Sequence, residues 1–63
     1  MFMPIVRIDL WAGRTPEIKE KLIQNVSKAV AETIGKPVDH VTVIINDVPK
    51  ENWGAKGIQA SKL

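Results

Sequence analysis

Met3-Pro4-Ile5-Val6-Arg7-Ile8-Asp9-Leu10-Trp11-Ala12-Gly13-Arg14 is the stretch that decides the fold. Val6, Ile8 and Leu10 fall on one face of an extended chain, and Ile5, Arg7, Asp9 and Trp11 on the other, which predicts a strand over residues 4–10. Ala12-Gly13 breaks the alternation and lets the chain turn. The proline at its start also has a chemical meaning. A start methionine next to a small residue is trimmed, so a chain begun at Met3 would expose Pro4 as a free secondary amine. Such an amine titrates near the α-amino reference of about 7.7–8.0. Burial disfavours its charged form and lowers that value. A neutral amine near pH 7 is a competent general base. Arg14, ten residues on, is the matching candidate for holding an anion. Met1-Phe2-Met3 precede Pro4 in this chain, and while they stay attached its nitrogen is an amide without basicity.

Outward from this strand, Thr15-Pro16-Glu17 is a helix start: a capping hydroxyl, a proline suited to the first position and an acid at the positive end. Ile18, Leu22, Ile23, Val26, Ala29, Val30 and Ile34 follow with helical spacing as one apolar stripe. Gly35 is the expected left-handed cap, and Pro37 blocks continuation. Val41-Thr42-Val43-Ile44-Ile45-Asn46 predicts the second strand. Strand, long helix, strand is a βαβ unit with parallel strands and a right-handed crossover. A turn with a short helical segment after Pro49 and a small hairpin or loop over 53–58 complete an α/β chain of one domain, 1–63. Residues 1–3 read as an added or unprocessed extension.

Sixty-three residues bury only about 60% of their unfolded surface. There is no cysteine to form a disulfide, and a single histidine makes a metal centre implausible. Oligomerisation is the remaining way to stabilise so small a scaffold. The sheet face away from the helix keeps Ile5, Trp11 and Ile44, and a two-stranded sheet does not leave such a surface wet. The net charge of +2 is slight and no two basic residues adjoin, so no nucleic-acid footprint is expected. No apolar run reaches membrane-spanning length, and the expected compartment is the cytoplasm. Ser61-Lys62-Leu63 spells a peroxisomal address, a tripeptide that many chains reach by chance.

Taken in order, Met3-Pro4-Ile5, Gly13-Arg14-Thr15, Lys19-Glu20-Lys21-Leu22-Ile23, Pro37, Val41-Thr42-Val43-Ile44-Ile45 and Asn52-Trp53-Gly54 with Gly57 resemble the 4-oxalocrotonate tautomerase family over nearly the whole chain. The resemblance implies small βαβ enzymes assembled as hexamers, each a trimer of dimers. It implies a cofactor-free reaction on a small unsaturated hydroxy or oxo acid. The amino-terminal proline moves a proton within a 2-hydroxydienoate to give the conjugated 2-oxo acid. On this resemblance Pro4 is the acid/base and Arg14 binds the far carboxylate. Trp53 stands at an aromatic pocket wall and Trp11 at an apolar lining position. Thr42 stands where well-studied members carry a second arginine, and a hydroxyl does not replace a bidentate guanidinium. Lys56 interrupts the usual hairpin glycine pair, and the usual C-terminal arginine is absent.

Plainer readings accompany each residue. Proline is ordinary at a strand's first position. Arg14 also suits a solvated loop, and Trp53 an interface anchor. His40, beside Asp39, reads as a surface or capping residue, and Arg7 as part of the exposed or interfacial sheet face. Two function classes therefore stand: a tautomerase with a free Pro4 amine, and a non-catalytic oligomeric relative whose proline is blocked by Met1-Phe2-Met3. Use of the same amine to hydrate an unsaturated acid is a third.

Overall fold

The computed structural model describes residues 4–62. The extension Met1–Met3 and the last residue of the C-terminal tripeptide lie outside the described residues. Two parallel strands, β1 (Ile5–Trp11) and β2 (Thr42–Val48), are joined by the helix α1 (Pro16–Ile34). A C-terminal arm follows, with a 3-10 turn at Lys50–Asn52, a hairpin of β3 (Gly54–Ala55) and β4 (Ile58–Gln59), and a last 3-10 turn at Ala60–Lys62. The βαβ unit, the parallel pairing and the hairpin are as expected from the sequence.

Local chemistry sets the boundaries. Thr15 is extended, and its hydroxyl accepts the Ile18 N–H at 3.2 Å, satisfying one of the free donors of the first turn. Gly35 ends α1 at φ 73°, and its N–H donates to the Ala31 carbonyl at 2.9 Å. This left-handed conformation is easy for glycine and costly for other residues. Strand register runs from Ile5 opposite Thr42 to Trp11 opposite Val48. β2 thus extends two residues past its expected end at Asn46, because its partner continues to Trp11 and cross-strand pairing outweighs the weak strand propensity of Asn46-Asp47. A 3-10 turn at Val38–His40, which the sequence pattern did not signal, leads into β2.

The sheet alternates as predicted along most of its length: Val6, Ile8, Leu10, Val43 and Ile45 are half-buried, while Ile5, Arg7, Asp9 and Ile44 face solvent. Trp11 and Thr42, expected on the outer face, are half-buried instead, Trp11 because Trp53 packs on it. The helical stripe is only partly covered. Leu22, Val26 and Val30 are half-buried beside buried Ser27 and Ala31, but Ile18, Ile23, Ala29 and Ile34 are exposed. Two strands are too narrow to cover a seven-residue stripe. Lys19 forms an ion pair with Asp47, tying the first turns of α1 to β2, and Asn46 Nδ2 donates to Asp9 Oδ1 across the strands at 3.1 Å.

One chain has no adequate core. Among the described residues only Ser27, Ala31 and Ala60 are buried, and no large side chain is fully enclosed. The accessible surface is 5004 Å², whereas a compact 7.0 kDa monomer would expose about 4000 Å². The radius of gyration is 14.5 Å, against about 11 Å for a compact chain of this length. The surplus lies in an elongated outline, 42 Å by 24 Å by 16 Å, and in exposed Ile5, Ile34, Ile44 and Ile58.

In the hairpin turn Lys56 and Gly57 both have positive φ, 56° and 76°. Paired positive φ values suit a two-residue turn whose twist matches the strands. Lysine carries a steric cost there that glycine does not. Replacing Lys56→Gly is expected to stabilise the protein by about 1 kcal/mol, read as a raised urea midpoint at unchanged slope. An unchanged or lowered midpoint would show that Lys56 is unstrained.

Candidate functional site

The residues singled out by sequence fall at the two ends of the parallel sheet. At one end, Pro4 is half-buried at the start of β1, and its carbonyl accepts the Thr42 N–H at 3.0 Å. A proline costs the ladder nothing here, because no donor is needed at a strand's first position. Thr42 is half-buried at the start of β2. His40 lies two residues earlier at the same end, half-buried, with no hydrogen bond or ion pair to its imidazole among the described residues.

At the other end, Trp11 closes β1 and packs edge-on against Trp53, with ring centroids 6.1 Å apart and planes at 84°. Such aromatic pairs contribute roughly 0.5–1.5 kcal/mol beyond the area they bury. Trp53 is presented by the C-terminal arm, which braces itself. The Ala60 N–H donates to the Trp53 carbonyl at 2.7 Å, and Gln59 Nε2 donates to the Glu51 carbonyl at 2.8 Å. Lys50 Nζ sits 4.8 Å from the centroid of the Trp11 ring. Arg14 is exposed in the loop that leaves the same strand end. Trp11 Nε1 is buried without an acceptor among the described residues.

The two groups are far apart in one chain. Seven residue steps separate Pro4 from Trp11, roughly 20 Å of extended backbone. Pro4 stands at one end of β1 and Arg14 in the loop beyond the other end, so one small acid does not span the two within a chain. Open grooves on the flanks of α1, such as the one lined by Lys28, Ala31, Glu32 and Val38, include none of these residues. Lys50 is the residue that sequence reasoning missed. Its cue is positional: it stands two residues past the β2 position that pairs with Trp11.

The sequence model of the family described as Tautomerase enzyme matches residues 4–61. The chain is 44% identical to 2-hydroxymuconate tautomerase of Comamonas testosteroni over 61 residues, 97% of each chain. It is 45% identical to a probable tautomerase of Streptococcus pneumoniae over 60 residues, 95% of this chain and all of that protein. Among solved structures, a 4-oxalocrotonate tautomerase isozyme from Methylibium petroleiphilum superposes with a TM-score of 0.89 at 46% identity, covering 92% of this chain and 94% of the other. A chain of the heterohexameric 4-oxalocrotonate tautomerase from Chloroflexus aurantiacus J-10-fl gives a TM-score of 0.92 at 34% identity, covering 97% and 98%. With a match that begins at Pro4 and runs through the C-terminal arm, this chain belongs to the tautomerase enzyme family and is a tautomerase-type isomerase.

Proposed function

We propose that this chain forms a homo-oligomer, a hexamer arranged as a trimer of dimers, that tautomerises 2-hydroxydienoates of the 2-hydroxymuconate type. The observation that carries this reading is the family match starting at Pro4, joined to near-full-length similarity to 2-hydroxymuconate tautomerases. Once freed of Met1-Phe2-Met3, the Pro4 amine accepts the proton of the 2-hydroxyl as the 2-oxo group forms. It then delivers a proton to a carbon further along the diene. Each proton leaves one atom of the substrate and ends on another, so no redox partner is needed. Arg14 binds the distant carboxylate and draws electron density toward it, which favours protonation at that end. Trp11 and Trp53 exclude water, which strengthens the charge interactions inside the pocket. Thr42 offers a neutral hydroxyl beside Pro4.

The separation of the two residue groups supports a pocket shared between subunits, with Pro4 and Thr42 from one copy and Trp11, Arg14 and Trp53 from another. The uncovered apolar surface of α1 and the sheet supports the same assembly. A second reading rests on Met1-Phe2-Met3 standing before Pro4. If they persist in the mature protein, the oligomer would bind acids without converting them.

The assembly is tested by light scattering at micromolar concentration, coupled to turnover of 2-hydroxymuconate by the same sample. The expected particle is several times the 7.0 kDa chain mass and active. A folded, active monomer would rule out a shared pocket.

A further inference from the structure

We propose that Lys50 is a second carboxylate-binding residue, so that the aromatic end of the site grips one carboxylate between two cations, Arg14 and Lys50. This deepens the tautomerase reading and rests on it for the location of the pocket. Three observations converge on Lys50. Its ammonium stands 4.8 Å above the Trp11 ring, whose other neighbour is Trp53, so the charge is held on the aromatic wall. Among the described residues Lys50 has no acidic partner: Asp47, the acid three residues before it, is taken by Lys19, and Glu51 forms no ion pair. Strand register then brings the Lys50 and Arg14 segments to the same edge. Trp11 lies opposite Val48, the Ala12 N–H donates to the Val48 carbonyl at 3.0 Å, and both chains leave the sheet there.

An aromatic face under a lysine does two things. It attracts the ammonium through the ring quadrupole, and it restricts the side chain. The three N–H donors remain available, since the ring takes none of them as a true hydrogen-bond acceptor would. A positioned cation without an acidic partner among the described residues, on the same sheet edge as the Arg14 loop, recruits an anion, and charge-assisted hydrogen bonds are the strong ones. The Pro4 and Thr42 end of the sheet has no lysine or arginine among residues 37–43 or 4–6. Of the residues assigned to the proposed pocket, Arg14 and Lys50 are the arginine and lysine, and both lie on the aromatic wall. The favoured ligand is an unsaturated acid with a carboxylate at the end remote from the reacting enol.

The test uses trans,trans-muconate, a six-carbon diene dicarboxylate with no enol proton to move. Its binding to the whole oligomer is followed by quenching of Trp11 and Trp53 fluorescence. Lys50→Gln is expected to weaken muconate binding about tenfold, the loss of one charge-assisted contact, while Lys50→Arg stays within about threefold of the parent. Arg14→Gln combined with Lys50→Gln should cost less than the product of the two single effects, because both residues hold one carboxylate. Oligomer mass and far-ultraviolet circular dichroism, measured on every variant, separate misassembly from lost binding. Equal muconate affinity in assembled Lys50→Gln and parent overturns the assignment, as does Lys50→Arg as weak as Lys50→Gln. Turnover of 2-hydroxymuconate by the parent is scored separately. Lys50-dependent binding without turnover would remove the tautomerase reading and leave the two-cation site standing. Turnover with Lys50-independent binding would do the reverse.

Discussion

Two nearly inactive variants are expected to recover activity when their subunits are mixed. The first is the chain verified to retain Met1, which presents an intact Arg14, Trp11 and Trp53 wall but no Pro4 amine. The second begins at Pro4 and carries Arg14→Glu, which keeps the amine and reverses the charge that holds the substrate. If each pocket takes Pro4 from one copy and Arg14 from another, random mixing at equal ratio gives about one good site in four. Activity should therefore rise from near background to about a quarter of the parent's, a change that dwarfs any surface effect. If one chain supplied both residues, no pocket in any mixture would be complete. The roughly 20 Å between the strand ends argues for the first case. Co-refolding from denaturant, with native mass confirming mixed oligomers, makes the comparison fair. Mixed oligomers without recovery would place the whole site within one chain.

Much of this architecture is legible in the sequence because its punctuation is local. Thr15-Pro16 and Gly35 mark the ends of α1 through capping chemistry that needs no partner, and the alternation of Val6, Ile8 and Leu10 is visible without knowing what covers it. Features that depend on distant segments are not legible in this way. Asp47-Val48 reads as the start of a turn until β1 supplies a partner as far as Trp11. Ile23 and Ile34 read as core, because periodicity shows that a face is apolar but not how wide the opposing sheet is. The meeting of Trp11 with Trp53, and of Lys50 with Trp11, joins positions about forty residues apart. Residue type suggested that Pro4 and Arg14 belong to one site. The strand geometry argues that they serve it from different copies.

In the proposed reaction a free Pro4 amine does the chemistry. A secondary amine accepts a proton at neutral pH only when nothing is acylated onto it. Methionine removal takes one residue and needs a small neighbour, and Phe2 is not small, so a chain begun at Met1 keeps Pro4 as an amide. A chain begun at Met3 loses that methionine and exposes the amine. Both forms can be purified, their first residues verified by intact mass, and assayed side by side on 2-hydroxymuconate. The form starting at Pro4 is expected to be faster by at least about 10²-fold, the lower end of what a general base contributes. Its rate should rise with pH, since the base must be neutral to accept a proton. The midpoint should lie below the reference of about 7.7–8.0, because a half-buried site disfavours the cation. Comparable rates from the verified Met1 form would contradict the account, since an amide nitrogen would then be present where the base is required.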